Sequence, residues 1–164
     1  MKKRPRILAI SSAGGHWVQL RRMRPAWDGC DVAYVTTKDG YRVDVMQDAA
    51  ERDQPTPRFY HIVDANRWEK ARLVRQLLGI LRILLKERPD VIISTGAAAG
   101  FFALKFGRFL GARTIWVDSI ANAEELSLSG RKAGSSADLW LTQWPHLAES
   151  GSGDRHPEYR GSVI

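Results

Sequence analysis

Residues 7–16 read Ile-Leu-Ala-Ile-Ser-Ser-Ala-Gly-Gly-His and decide the fold. The four apolar residues at the start are typical of a buried strand in a parallel sheet. Apolar residues at helical spacing follow, so we predict a strand-to-helix turn over residues 12–16. Paired glycines let the backbone take positive φ and approach a ligand closely. The free N–H groups that begin the helix then favour an anion such as phosphate.

The glycine pair alone is equally compatible with a tight turn that binds nothing. It matches neither the dinucleotide pattern Gly-x-Gly-x-x-Gly nor the Gly-Lys-Ser/Thr of a Walker loop. His16 adds a titratable side chain where a ligand would lie, and this favours the binding interpretation.

Length, charge and cysteine content limit the class of protein. A chain of 164 residues, 44% of them hydrophobic, suits one globular domain, which we place at residues 1–164 with a polar tail from about residue 146. The net charge of +7 favours an anionic partner, but no nucleic-acid motif is present and we expect no nucleic-acid partner. The single cysteine, Cys30, excludes an internal disulfide and fits a reducing, cytosolic setting. We expect no metal, no cofactor and no bilayer-spanning segment.

Six apolar runs alternate with helical patterns along the chain. We predict strands at residues 6–11, 31–36, 58–63, 90–95, 113–119 and 138–144. This alternation predicts an α/β fold with a Rossmann-like, doubly wound and mostly parallel sheet between helices. Such folds bind ligands where the strand order reverses, here between the first and fourth strands. The turns at residues 12–16 and 96–100 and the loop after the fifth strand should therefore converge.

A long helix is predicted between the third and fourth strands, capped by Asn66 with Glu69 three residues later. We expect its apolar stripe to face the sheet and its basic face to be solvated. Since Ile80 and Ile83 lie beside the basic face, contact of that face with anionic lipid is the alternative. The stripe consists of Leu73, Val74, Leu77, Leu78, Leu81, Leu84 and Leu85. The basic face consists of Arg72, Arg75, Arg82 and Lys86.

The helix after the fourth strand is the predicted membrane contact. Helical spacing places Phe102, Ala103, Phe106 and Leu110 on one face, which we expect to pack on the sheet. The other face carries Phe101, Leu104, Lys105 and Arg108. Exposed apolar side chains among cations suit an anionic bilayer surface. Burial of this face under another element or a partner is the alternative.

Five short blocks occur in an order that resembles a known family. They are Ser-Ala-Gly-Gly-His at 12–16, Ser-Thr-Gly-Ala at 94–97, Asp-Ser-Ile-Ala-Asn at 118–122, Leu-Ser-Leu-Ser-Gly at 126–130, and Asp138 with Gln-Trp-Pro at 143–145. Over about residues 7–161 this order resembles the bacterial polysaccharide-synthesis proteins of the PssD type. These are similar to the small membrane-associated subunit of the eukaryotic N-glycan UDP-GlcNAc transferase and to the N-terminal half of MurG-like GT-B glycosyltransferases. The family usually has Glu at Asp118 and Arg at Asn122.

The resemblance implies the acceptor-binding half of an inverting GT-B glycosyltransferase. A separate chain would supply the half that binds the UDP-sugar, and the acceptor would be a polyprenyl-diphosphate-linked glycan in polysaccharide biosynthesis. Glucuronic acid is the favoured sugar and N-acetylglucosamine the next. The expected location is the cytoplasmic face of the inner membrane, as a peripheral protein. A non-catalytic scaffold that recruits the transferase and a stand-alone phosphate or nucleotide binder remain alternatives.

Within this framework His16 and Asp118 are the candidate catalytic residues. Either could be the base that takes the proton of the acceptor hydroxyl. For His16 the alternatives are a hydrogen bond to the diphosphate or helix capping, and for Asp118 the alternative is ordering of its loop. Gln143 and Trp144 are interpreted mainly as closing the fold. The predicted ligands of the acceptor and its diphosphate are Ser12, Gly14, Gly15, Gly96, Ala97, Asn122, Ser127 and Ser129. The glycines would offer backbone N–H groups, while capping is the alternative for the two serines of the 126–130 block.

Overall fold

The computed structural model describes residues 3–65, 68–148 and 155–163. Within these ranges seven strands form one sheet in the order β3-β2-β1-β4-β5-β6-β7, and every neighbouring pair is parallel. The order reverses between β1 and β4, which confirms the predicted Rossmann-like, doubly wound class. The strands are β1 (Arg6–Ile10), β2 (Asp31–Thr36), β3 (Arg58–His61), β4 (Val91–Ser94), β5 (Arg113–Val117), β6 (Leu139–Thr142) and β7 (Glu158–Tyr159).

Helices cover both faces of the sheet. They are α1 (Gly15–Arg22), α2 (Tyr41–Glu51), α3 (Lys70–Glu87), α4 (Ala97–Phe109), α5 (Leu128–Ala133) and α6 (Pro145–Ala148). Alternate residues of β1 enter two separate apolar clusters, because successive side chains of a strand point to opposite faces. Ile7 and Ala9 pack with Trp17 of α1, and Leu8 and Ile10 pack in the cluster of α3 and α4.

The long helix α3 is rotated about its axis relative to our prediction. Its buried residues are Gln76, Ile80, Ile83, Leu84 and Glu87. Of the predicted inward stripe, Leu84 is buried as expected and Leu73, Leu77 and Leu81 are half-buried, but Val74, Leu78 and Leu85 are 54%, 49% and 52% exposed. Ile80 and Ile83, expected beside the basic face, belong to the core. The predicted cap Asn66 lies outside the described residues, and Glu69 occupies the N-cap position.

Two buried polar side chains explain the orientation of α3. Gln76 Nε2 donates to the Val63 carbonyl oxygen at 2.8 Å. Glu87 accepts a hydrogen bond from Arg58 Nε at 2.7 Å and another from the Tyr60 hydroxyl. Burial and the hydrogen bond to Glu87 raise the pKa of Tyr60. Because buried polar groups are tolerated when they are paired, the Glu87 carboxylate and the Gln76 Nε2 can lie inside, although Gln76 Oε1 has no partner among the described residues.

Small residues bring α4 onto the sheet. Gly100, Ala103 and Gly107 are buried, and a Cβ on either glycine would overlap Ser94 or Ile92 of β4. A helix packs this closely only where it has no side chains in the way. The closest contact of α4 with β4 is therefore made by its smallest residues, with Ala103 buried as predicted, while Phe101, Phe102 and Phe106 pack partly buried around it.

This packing corrects our assignment of the outer face of α4. Leu104, expected outside, is fully buried, and Phe101 packs partly buried against the core. Leu110, expected on the sheet, is 50% exposed, and Phe109 is 82% exposed. Lys105 and Arg108 are exposed as predicted. Leu104 is therefore not available as a membrane contact.

The predicted polar tail contributes to the fold. β7 adds to the edge of the sheet beside β6, with Glu158 opposite Leu141. Beyond β7, the Ser162 hydroxyl donates to the Gln143 carbonyl oxygen at 2.8 Å. The end of the described chain is thus held against the carboxyl end of β6. No helix in the described ranges is long and apolar enough to cross a membrane.

Candidate functional site

Three loops meet at the carboxyl edge of the sheet, as the topology predicted. The β1–α1 turn bonds to the β4–α4 turn through His16 and Thr95. Helix α1 also reaches the loop after β5, where Gln19 Nε2 lies 3.5 Å from Ser119 Oγ. The loops therefore surround one site beside the β1–β4 boundary, where ligands of such folds bind.

His16 and Thr95 join the two glycine turns by reciprocal hydrogen bonds. His16 Nδ1 lies 2.9 Å from the Thr95 carbonyl oxygen, and Thr95 Oγ1 donates to the His16 carbonyl oxygen at 2.6 Å. A carbonyl oxygen can only accept, so Nδ1 carries the proton in this bond. In the neutral ring Nε2 then keeps its lone pair, the arrangement that a general base requires.

Gly96 is required for this contact. A Cβ on Gly96 would overlap the His16 ring, and its φ of 150° disfavours other residues. Ala97 follows with φ 64°, a left-handed conformation that is costly for alanine. Strained backbone of this kind is concentrated at functional sites. Gly96 and the strained Ala97 thus both lie in the part of the β4–α4 turn that contacts His16.

The backbone donors of the glycine turns differ from our prediction. The Gly14 N–H, at φ 79°, donates to the Tyr41 hydroxyl at 3.3 Å. The Gly96 N–H donates to Ser94 Oγ at 3.2 Å. Neither is free to bind a ligand, because internal acceptors already hold them. Among the described residues, the N–H groups of Gly15 and His16 at the start of α1 have no acceptor, and Ser12 lies half-buried in the same turn.

Asp118 accepts hydrogen bonds from three residues around it. Its Oδ1 accepts from Trp116 Nε1 at 3.1 Å and from Ser127 Oγ at 2.7 Å. Its Oδ2 accepts from Asn122 Nδ2 at 3.2 Å and from the Ser127 N–H at 3.0 Å. The residue is 1% exposed. Both carboxylate oxygens thus meet donors of the protein itself and are shielded from solvent. This geometry favours loop ordering, the alternative left open above, over the role of base.

The 126–130 block forms the start of α5. Ser127 is its N-cap, and Oγ accepts from the Gly130 N–H at 2.8 Å while donating to Asp118. A Cβ on Gly130 would overlap the Asp118 carboxylate. Ser127 therefore caps the helix, as the alternative had it, and the Asn122 amide is held by Asp118. Ser129 lies half-buried in the first turn of α5.

Two buried amides connect the site to the rest of the fold. Gln143 Nε2 donates to the Asp118 carbonyl oxygen at 2.9 Å and lies 3.3 Å from Gln19 Oε1. Gln143 Oε1 accepts the Val163 N–H at 2.7 Å. We predicted a fold-closing role for Gln143 and no role for Gln19. The signal for Gln19 was a polar residue on the buried face of α1, between Trp17 and Leu20.

The described part of the chain holds no group of three or more His, Cys, Asp or Glu residues that could ligate a metal. What the site offers is an imidazole held through Nδ1, the backbone N–H groups of Gly15 and His16, and a loop hydrogen-bonded to Asp118. This combination can hold an anionic oxygen and accept a proton.

Comparison with known sequences identifies relatives. Residues 47–162 match the family model described as "Oligosaccharide biosynthesis protein Alg14 like". The "UDP-N-acetylglucosamine transferase subunit ALG14" of Yarrowia lipolytica is 25% identical over 181 residues, which is 98% of this chain and 82% of the relative. The protein of the same name in Eremothecium gossypii is 26% identical over 166 residues, 87% of this chain and 74% of the relative.

Solved structures share the fold at low identity. MurG of Acinetobacter baumannii superposes with a TM-score of 0.70 and 11% identity, over 98% of this chain and 46% of that chain. The UDP-GlcNAc 2-epimerase of Neisseria meningitidis superposes with a TM-score of 0.60 and 11% identity, over 90% of this chain and 44% of that chain. At such identities the likeness establishes the fold alone, and this chain spans about half the length of either protein. The narrower resemblance to the PssD type stays a prediction.

Proposed function

Because the chain belongs to the Alg14-like family of oligosaccharide biosynthesis proteins, we propose that it is the acceptor-side subunit of a two-chain glycosyltransferase. Its two fungal relatives are named as subunits of a UDP-N-acetylglucosamine transferase, and the chain covers 82% and 74% of their lengths. It also corresponds to about half of the MurG chain in fold. A separate chain that binds the nucleotide sugar would supply the other half.

The proposed acceptor is a polyprenyl-diphosphate-linked glycan, and the donor is a UDP-sugar. The names of the relatives support N-acetylglucosamine as the transferred sugar. Glucuronic acid, favoured by the resemblance to the PssD type, is the competing donor. The N–H groups of Gly15 and His16 at the start of α1 would bind a diphosphate oxygen.

His16 carries the proposed chemistry, on the single observation that its Nδ1 is held by the Thr95 carbonyl oxygen. The acceptor hydroxyl oxygen attacks the anomeric carbon of the donor, and the bond from that carbon to the UDP oxygen breaks. UDP leaves with the bonding electrons, and Nε2 takes the hydroxyl proton. A positioned base of this kind contributes about 10²–10⁴-fold in rate. Asp118 would hold the loop beside it in place.

The membrane contact is proposed on α3 rather than on α4. Val74, Leu78 and Leu85 form a half-exposed apolar stripe, and Trp68 just before the helix is 78% exposed. Helical spacing places the basic residues Arg75, Arg82 and Lys86 along one side of the stripe. An apolar stripe bordered by cations is the pattern of a helix lying in an anionic membrane interface. The protein would associate peripherally with the cytoplasmic face of the inner membrane.

Calorimetry on the chain alone tests the division of labour between two subunits. UDP-N-acetylglucosamine and UDP-glucuronate are titrated separately into the purified chain. We expect no micromolar binding of either, since the nucleotide-sugar site lies on the partner. Micromolar binding to the lone chain would overturn the two-chain proposal and support a stand-alone nucleotide binder.

A further inference from the structure

A cleft of about 590 Å³ lies at the opposite end of the sheet from the candidate site. Its lining includes Arg6 at the start of β1, Asp90 just before β4 and Ala112 just before β5. These are the amino ends of the strands, whereas the candidate site lies at their carboxyl ends. The volume falls within the range of about 300–1,000 Å³ typical of small-molecule sites.

One wall of the cleft is cationic. Arg6 Nε is buried and has no hydrogen-bond partner among the described residues. The Arg6 Nη1 lies 3.2 Å from the Glu87 carbonyl oxygen, and the Arg6 Nη2 lies 3.6 Å from Asp90 Oδ1. Arg88 adds an exposed guanidinium. Two arginines and one aspartate, Asp90, thus line the cleft, and the buried donor of Arg6 lacks an acceptor that an anionic oxygen would supply.

The other wall is apolar and opens onto the outer surface of α3. Leu85 and Leu110 line the cleft and are 52% and 50% exposed. Leu84 forms its floor as a fully buried side chain. Leu85 also belongs to the outward stripe of α3, so the cleft continues the proposed membrane surface. The cleft therefore combines an anion-binding wall with an apolar wall that begins where the bilayer would lie.

We propose that this cleft binds one anionic phospholipid. Its phosphate lies against Arg6 and Arg88, and one acyl chain lies along Leu85 and Leu110. The inference rests on the proposed membrane association and on no step of sugar transfer. One bound lipid fixes the C-terminal end of α3, a helix of 18 residues and about 27 Å. It thereby keeps that helix along the membrane surface.

Calorimetry with dihexanoylphosphatidic acid, kept below its micelle concentration, tests the site on the full chain. We expect saturable one-to-one binding. The double variant Arg88→Asn, Leu110→Asp should bind at least tenfold more weakly, because it removes a cation and places a carboxylate in the cleft. Arg88 has φ 44°, a conformation that asparagine tolerates. The matched control is Arg22→Asn, Val43→Asp, the same change at exposed residues of α1 and α2, which should bind like the parent.

Three results would overturn the proposal. They are no saturable binding by the parent, equal weakening by the control pair, or equally tight binding of inorganic phosphate, which would make the cleft a free-phosphate site. Dihexanoylphosphatidylcholine, a zwitterion, should bind more weakly than the anionic lipid. If circular dichroism shows that the double variant is unfolded, the single variant Arg88→Asn takes its place, and it should also bind the lipid more weakly than the parent.

A second pair of substitutions distinguishes failure of the proposed membrane contact on α3 from failure of the lipid site in the cleft. The pair Val74→Ser, Leu78→Ser on the outward stripe of α3 should leave binding of the soluble lipid unchanged while it weakens binding to vesicles. Loss of soluble-lipid binding in that pair would contradict the cleft as the site. Sugar transfer enters neither measurement.

Discussion

Gly96 lies so close to His16 that a methyl group on its α-carbon would overlap the imidazole ring. This contact brings the β4–α4 turn against the β1–α1 turn. It also explains why the Nδ1 of His16 can reach the Thr95 carbonyl oxygen at 2.9 Å. The position of the proposed base therefore depends on a residue without a side chain.

Gly96→Ala should lower the free energy of unfolding by roughly 2–5 kcal/mol, from backbone strain together with overpacking. The control is Gly29→Ala, where φ is 76° but no atom lies within 4 Å of the added Cβ. In that control the free energy of unfolding should fall only by the cost of the left-handed backbone conformation, about 1–2 kcal/mol. Urea denaturation measures both. Equal losses in the two variants would show that the ring does not occupy the space beside Gly96.

Asp118→Asn should destabilise the chain by about 1–3 kcal/mol, because the new amide group faces donors that the carboxylate had satisfied. The exposed Asp44→Asn on α2 is the control and should stay within about 0.5 kcal/mol. If Asp118 orders its loop, the folded variant keeps the acid limb of the pH–rate profile. Disappearance of that limb, with a loss of about 10²–10⁴-fold in turnover, would make Asp118 the base instead.

Val74→Ser with Leu78→Ser should weaken flotation of the chain with anionic vesicles and leave its circular dichroism unchanged. The matched control is Val18→Ser with Val43→Ser on α1 and α2, which are 49% and 67% exposed. Parent binding should fall as salt rises, because exposed charges are screened. Flotation of the α3 pair at the level of the control pair would exclude that stripe as the contact.

The topology could be predicted from the sequence because buried parallel strands appear as continuous apolar runs. The meeting of the loops at one edge then followed from strand order alone. The orientation of α3 could not be predicted. Spacing counts apolar residues, whereas the buried side of α3 includes Gln76 and Glu87, whose partners Val63, Arg58 and Tyr60 come from elsewhere in the chain.

The site was predictable in position more than in detail. Glycines 14 and 96 were recognised, but their N–H groups are bonded to Tyr41 and Ser94, which spacing does not reveal. The face of α4 was misjudged because hydrophobicity ranks Phe106 and Leu110 above Gly100 and Gly107, while the close approach to β4 selects the smaller residues. The bond from Gly14 to Tyr41 and the packing of α4 on β4 depend on tertiary contacts, whereas the bond from Gly96 to Ser94 is a local feature of the turn.

We propose that this chain binds the acceptor and supplies the base while a partner binds the donor. Initial rates of sugar transfer from UDP-N-acetylglucosamine or UDP-glucuronate to a polyprenyl-diphosphate-linked sugar test this division of roles. The parent chain, His16→Ala and the control His61→Ala, at an exposed histidine of β3, are each assayed with the nucleotide-sugar-binding partner at saturating acceptor. Affinity for the partner is measured in parallel.

We expect transfer only when both chains are present, full activity for His61→Ala, and a loss of about 10²–10⁴-fold for His16→Ala with unchanged affinity for the partner. A loss of roughly tenfold to a hundredfold that more acceptor restores would assign His16 to diphosphate binding. Parent-like rates for His16→Ala would exclude His16 as the base and favour a scaffold that only recruits the transferase.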